Sequence, residues 1–173
     1  MLFRSNSAAT SDPEIQSLRT KLADRLEGGI NYYELQKSKI NDLGLLGSRD
    51  FARSLADWRE GNYKPAAKAA QNLVIWSRNQ TILETAQKRI DQVSRTANLL
   101  KLVDNDEIQN IWTGAQDNFK AAVEANQKAK ILLRANDNQD LTLSAIHSSL
   151  AALSKTYQKF FELNEALNKV LPR

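Results

Sequence analysis

The sequence predicts an all-α fold, an antiparallel bundle of four long helical segments plus one short helix. Apolar residues recur every three or four positions through most of the chain, the spacing that sets them on one face of a helix. Only six glycines and three prolines occur in 173 residues, too few for a turn-rich sheet protein. The turn residues that do occur divide the pattern into segments with short connections, which favours antiparallel neighbours.

Ser11 or Asp12 is placed to cap the first segment, with Pro13 and Glu14 in its first turn. Proline has no donor to lose there, and glutamate meets the unpaired N–H groups. Ile15, Leu18, Leu22, Leu26, Ile30 and Tyr33 follow at spacings of three and four, and Ile40 continues the stripe after Lys37. Gly28 and Gly29 interrupt it. Two adjacent glycines in a helix interior cost about 2 kcal/mol relative to alanine, and a bend is expected there in preference to the close approach of a neighbouring backbone.

Gly44 and Gly47 frame a break, after which Ser48 is expected to cap a short helix bearing Phe51, Leu55 and Trp58 on one face. That helix is expected to end at Glu60, Gly61 and Asn62, with Pro65 in the first turn of its successor. The stretch SLADWREGNYKPAAKAAQNL, residues 54–73, loosely resembles the turn of a tetratricopeptide repeat through Leu55, Gly61, Tyr63, Ala66 and Ala70. No second copy stands in phase, so no repeat is expected.

The long segment that follows carries Ala66, Ala69, Ala70, Leu73 and Trp76, then Leu83, Ala86, Ile90, Val93, Ala97 and Leu100. One helix of that extent would run about 55 Å, so a kink or split is expected within 65–103, at Asn79 and Thr81. Asp104 or Asp106 is expected to cap the next segment, and Asp104 with Glu107 has the spacing of a capping box. Its stripe is Ile108, Trp112, Ala115, Phe119, Ala122, Ala129 and Leu133, with Asn126 inside it. After a turn at RANDNQD, residues 134–140, the last segment carries Leu143, Ile146, Leu150, Leu153, Tyr157, Phe160, Leu167 and Leu171 at coiled-coil spacing, broken only by Asn164 and ended by Pro172. Asn126 and Asn164 either specify register as partly buried amides or stand in solvent.

One domain over 12–173 is expected after a flexible extension at 1–11. The longest apolar runs, such as LVIW at 73–76, fall far short of the roughly 20 residues of a membrane span. With no intact secretory signal either, a cytoplasmic location is slightly favoured. Charge is uneven: residues 61–103 hold seven basic and two acidic side chains, and residues 104–140 hold four and seven. Attraction between these two segments as antiparallel neighbours is the expected explanation.

Chemistry is sparse. The chain has no cysteine, which removes thiol nucleophiles, disulfides and thiolate metal sites. His147 is the single histidine, and neither Ser144 nor Ser148 sits in a nucleophile elbow beside it. DNDE at 104–107 lacks a calcium loop, and Gly28 and Gly29 lack the lysine and serine or threonine of a phosphate loop. No catalytic, metal or cofactor site is expected. Lys88 and Arg95 share a helical face and form a weak basic surface, too thin for phosphate tracking, so a nucleic-acid partner is disfavoured.

The expectation is a non-enzymatic helical protein–protein interaction or scaffold module with a protein partner, homo-oligomer formation staying open. Phe161 lies one residue beside the Tyr157–Phe160 stripe and is the candidate partner contact. The alternative is a small-molecule-binding sensory bundle, with Arg25, Tyr32, Tyr33, Trp58, Trp76 and Trp112 as a candidate interhelical pocket.

Overall fold

The computed structural model describes residues 12–40, 43–99 and 105–170. Ser11, Leu100, Val103, Asp104, Leu171, Pro172 and the 1–11 extension lie outside the described residues. Helix α1 spans Pro13–Lys37, α2 Leu45–Trp58, α3 Lys64–Leu99, α4 Asp106–Ala135 and α5 Gln139–Val170. No strand occurs among the described residues, and the chain is an all-α antiparallel bundle.

Asp12 caps α1, its carboxylate accepting from the N–H groups of Glu14 and Ile15. The same carboxylate receives Lys130 Nζ and Arg134 Nη2, each at 2.7 Å, while Arg134 Nε reaches Glu14 at 2.8 Å. One aspartate thus satisfies a helix terminus and ties it to the end of α4. The Lys130 ammonium, with Arg134 and the two backbone donors, holds the Asp12 carboxyl well below its ordinary 3.8 against the opposing cost of desolvation.

The expected end at Glu60–Asn62 does not occur. Residues Arg59–Tyr63 form a π turn that joins α2 to α3 as one helical run from Leu45 to Leu99. A proline inside a helix removes one donor and presses on the carbonyl four residues back. For Pro65 that carbonyl belongs to Gly61, inside the π turn, where the Lys64 N–H closes instead on Arg59 O and the wider turn relieves the clash. Asn62 Nδ2 donates to Trp58 O at 3.2 Å and supports the irregular turn from its side chain. Ser48 is not the cap of α2 either: Gly44 is, without a side-chain bond, and Ser48 Oγ donates to Gly44 O from within the first turn.

Helix α3 runs unbroken through Asn79 and Thr81, so the expected split is absent. Asn79 is 1% exposed and points across the bundle. Its Nδ2 donates to Asn126 Oδ1 at 3.1 Å and to Ser149 Oγ at 2.8 Å. Asn126 Nδ2 donates to Gln80 Oε1, and Trp76 Nε1 donates to Asn126 O. This polar layer divides the core in two. One apolar cluster holds Ile15 and Leu22 of α1 with Leu73, Trp76, Leu133 and Ile146; the other holds Leu83, Ile90, Trp112, Phe119, Leu153 and Leu163. Asn126 therefore has the register role and Asn164 the solvent-exposed one.

Helices α4 and α5 form the tightest pair. Ser149 Oγ donates to Ala122 O at 2.8 Å, and in an antiparallel pair that bond sets Ala115 level with Thr156 and Ala129 level with Thr142. All six residues are fully buried, and each set recurs every seven positions. The buried face of α5 is centred on Thr142, Ser149 and Thr156 rather than on the large-residue stripe, so Leu143, Leu150, Tyr157, Phe160 and Leu167 are only half-buried. Thr142 and Thr156 satisfy their hydroxyls on the carbonyls of Asn138 and Ala152 in their own helix, which lets them sit against alanine without a polar penalty.

The caps of α4 and α5 are asparagines. Asn105 Oδ1 accepts from Ile108 N, which leaves Asp106 in the first turn rather than at the cap. Asn136 ends α4 in the left-handed region at φ 53°, and Asn138 Oδ1 accepts from Leu141 N to start α5. One ion pair among the described residues joins the basic stretch 61–103 to the acidic stretch 104–140, Lys68 of α3 with Asp140 in the first turn of α5 at 3.3 Å, and none joins α3 to α4.

Two outcomes test this packing. Ala122→Leu should destabilise the chain by about 1–3 kcal/mol or more through overpacking, whereas Ala121→Leu, on an exposed neighbour, should stay within about 0.5 kcal/mol; matched urea melts compare them. Because the folded carboxyl of Asp12 lies below its unfolded value, its stabilisation is complete above the ordinary carboxylate range and is lost progressively as pH falls from that range through the depressed folded value. Asp12→Asn should therefore flatten the acid limb of the stability–pH curve.

Candidate interaction surface

The α4–α5 turn, Asn136–Asn138, marks the end of the three-helix body, at the level where Lys68 meets Asp140 and Asn72 Nδ2 donates to Gln139 O. N-terminal to Lys68, residues 45–67 carry the long helix on for about 35 Å at 1.5 Å per residue. Among the described residues α1 accompanies it only as far as Lys37, about one turn beyond the ring of Trp58, and the first turns of α2 continue alone. The result is a two-helix overhang beyond the body.

The overhang is fastened by aromatic rings. Tyr32 stacks on Trp58 with centroids 3.9 Å apart and planes 13° apart, while Tyr33 meets Trp58 and Tyr63 edge-on at 5.4 and 6.3 Å. Gly29 is what lets Tyr63 in: a Cβ there would fall 2.9 Å from Tyr63 Cδ2 and 3.6 Å from Trp58. Gly29, not Gly28, thus serves the close approach of a side-chain ring rather than of a neighbouring backbone, and α1 is helical through both positions.

Past these rings the cover fails. The α1 stripe that is 2% exposed at Ile15 and 1% at Leu22 runs on into the overhang, where Ile30 is 60% exposed, and Ile40, in the turn beyond the end of α1, is 50% exposed. Ile30 and Tyr33 lie about 60° apart at 100° per residue. On α2, Phe51, Leu55 and Trp58 are half-buried, and no described side chain from Gly44 to Pro65 is fully buried. Leu35 and Leu46 are also exposed, but each points away from these stripes.

The six residues expected to form one pocket do not. Tyr32, Tyr33 and Trp58 come together, joined by Tyr63; Trp76 and Trp112 are buried in the two separate core clusters, and Arg25 is exposed on α1. Phe161 is 71% exposed on α5, beside half-buried Phe160, which packs edge-on against Tyr157. Lys88 and Arg95 are exposed on α3, while Arg89 between them lies 5.1 Å over the Tyr157 ring. His147 is exposed in a shallow groove lined by one face of α5 alone, and Ser148 Oγ donates to Ser144 O. No group of three potential metal ligands occurs among the described residues, and none of their helices is long and apolar enough to cross a membrane.

At the opposite end of the body an apolar cleft of about 290 Å³ lies between Val93, Ala97, Ile108, Phe160, Leu163 and Leu167. Gln92, Thr96 and Asn164 are its polar lining. Comparison with protein-family models, curated proteins and solved structures finds no match to this chain.

The ring contact at Gly29 separates two otherwise equivalent glycines. Gly28→Ala meets nothing within 4 Å and should stabilise the helix by up to about 1 kcal/mol. Gly29→Ala should forfeit that gain and change the near-ultraviolet circular dichroism of the stacked rings. Equal effects on melting and an unchanged aromatic signal would contradict the packing of Tyr63 against α1.

Proposed function

We propose that this chain is a non-enzymatic helical interaction module in which the three-helix body is a platform and the α1–α2 overhang is the docking element. The observation that supports it is the continuation of the α1 apolar stripe through Ile30 and Tyr33, with exposed Ile40 in the turn beyond, into a region where the described residues supply no third helix. Exposed apolar residues scattered singly need no explanation, but a periodic stripe on a rigid helix pair is the form of a helix-docking groove. The rings of Tyr32, Trp58 and Tyr63 keep the two helices together before a partner arrives, which lowers the ordering cost of binding.

A small-molecule-binding bundle is the second reading. Its support is the cleft at Val93, Ile108 and Phe160, which is near the lower size limit of ligand sites and offers no charged group to orient a ligand.

The double substitution Ile30→Lys with Ile40→Lys tests the first reading. Both side chains are at least half exposed, so helical circular dichroism and the melting midpoint should be retained within about 0.5 kcal/mol. Binding of protein partners recovered with the wild-type chain should be lost, as measured by titration of each recovered partner. Retained binding with retained fold would sink the docking role of the overhang.

A further inference from the structure

We propose that the overhang pairs with a second copy of this chain, two α1–α2 hairpins closing antiparallel into a four-helix layer. This rests on reading the overhang as a docking element, and it names the partner.

Charge is the first argument. Residues 24–40 carry three acidic and three basic side chains, and residues 45–64 carry three and four. A surface that meets its own copy across a two-fold axis must hold both signs, since a one-sign patch would face itself and repel. The same balance disfavours an anionic membrane or a nucleic acid, both of which select a Lys/Arg surplus. Several charges are also already matched within their own helix, Glu34 with Lys37, Asp50 with Arg53 and Glu60 with Lys64, so little net field remains for an oppositely charged stranger.

Area is the second argument. From the level of Lys68 the paired part, α1 as far as Lys37 beside the long helix, is about 20 Å long and about 20 Å across, and α2 carries on alone for about 15 Å, a face on the order of 550 Å². Stable interfaces begin at about 600 Å² from each partner, so a second hairpin would have to use nearly all of this face, and a single partner helix would leave part of it bare.

Shape is the third. Ile30 continues the stripe that in the body turns Ile15 and Leu22 toward α3 and α4, and exposed Ile40 follows just past the end of α1. The uncovered side is therefore the side on which α4 and α5 have ended at Asn136–Asn138. An antiparallel second hairpin fills that space, and its tip comes to rest near the α4–α5 turn of the first copy. Each chain supplies the helices that the other lacks.

The test is the mass of the full chain in solution by light scattering and sedimentation across a hundredfold range of concentration. The expected result is a species of twice the 19.5 kDa chain mass, with dimerisation at least tenfold weaker, about 1.4 kcal/mol, in the Ile30→Lys and Ile40→Lys double variant. Ile40→Lys alone serves as a second, milder variant, and circular dichroism verifies that each is folded. Phe161→Lys, far from the overhang in sequence and on α5, should leave the dimer intact. A wild-type chain that stays monomeric throughout overturns the second copy as partner. If that monomer still loses a different protein partner through the double variant, only the partner's identity has failed; if the double variant retains such binding, the docking reading has failed with it. A dimer that survives the double variant, or that is lost with Phe161→Lys, places the contact elsewhere and overturns the proposal. So does a monomer that binds phosphatidylglycerol vesicles through Ile30 and Ile40, which would make the surface a membrane-binding one.

Discussion

The contact on which the rest of the molecule depends is the close approach of α4 to α5. Ala115, Ala122 and Ala129 recur every seven residues on one helix, and Thr142, Ser149 and Thr156 do so on the other. Small side chains at one position per heptad let two backbones approach, and the Ser149 hydroxyl on Ala122 O fixes which residues stand level. A slip of one turn, about 5.4 Å, would put Phe119, Asn126 and Leu133 where the alanines are needed. Once this pair is registered, its outer groove accepts α3, the groove between α3 and α4 accepts α1, and the turn at Asn136–Asn138 sets where the body ends.

The polar layer makes the three-helix arrangement specific rather than merely compact. Asn79, Asn126 and Ser149 come from three different helices and are all buried. Apolar residues at these positions would leave no desolvation cost, so the layer is poorly explained as a source of stability. Asn79 Oδ1 has no hydrogen-bond partner among the described residues, which makes a net stabilising contribution harder still to assign. The layer's value lies in discrimination: any other register or helix order strands several buried amide groups at once, the use for which buried asparagine in helical bundles is best attested.

Much of this fold was legible in the sequence. The segments, their order, the Asp12 cap, the turn at 134–140 and most core residues of α3 and α4 follow from period and caps, because hydrophobic spacing reports helix faces directly. Three features were not legible, each for a physical reason. Thr142, Ser149 and Thr156 read as polar, yet threonine and serine can satisfy a hydroxyl on a helical carbonyl and then pack like alanine or valine. Asn105 is not distinguished from its aspartate neighbours by the sequence, because the three share cap propensity and only the backbone conformation selects among them. Gly61, Asn62 and Pro65 read as a stop because proline and glycine usually punctuate; that they instead build a π turn depends on hydrogen bonds from Lys64 and Asn62 that spacing does not reveal. The overhang was half legible. Its stripes are visible at Ile30, Tyr33, Ile40, Phe51, Leu55 and Trp58, but their lack of cover emerges only when the 55-residue run Leu45–Leu99 is laid beside the 30 residues of α4 and 32 of α5.

The π turn also explains why the overhang has its own face. In an uninterrupted α-helix, Phe51, Leu55, Trp58, Asn62, Ala66, Ala69 and Leu73 would fall at spacings of three and four, and the apolar face of α2 would simply extend that of α3. One extra residue in the turn advances the phase by about 100°, which swings Trp58 out of line with Leu73 and onto the ring of Tyr32. That rotation brings the last residue of α2, Trp58, onto α1 instead of onto the body. Two helices in contact cover one seam, whereas an apolar stripe of 100° or more needs neighbours on both sides of it. A pair fastened to each other and turned away from the remaining helices must therefore leave part of both stripes bare, and the residues left bare, Ile30 and Ile40 with half-buried Phe51 and Leu55, are those on which the interaction reading stands.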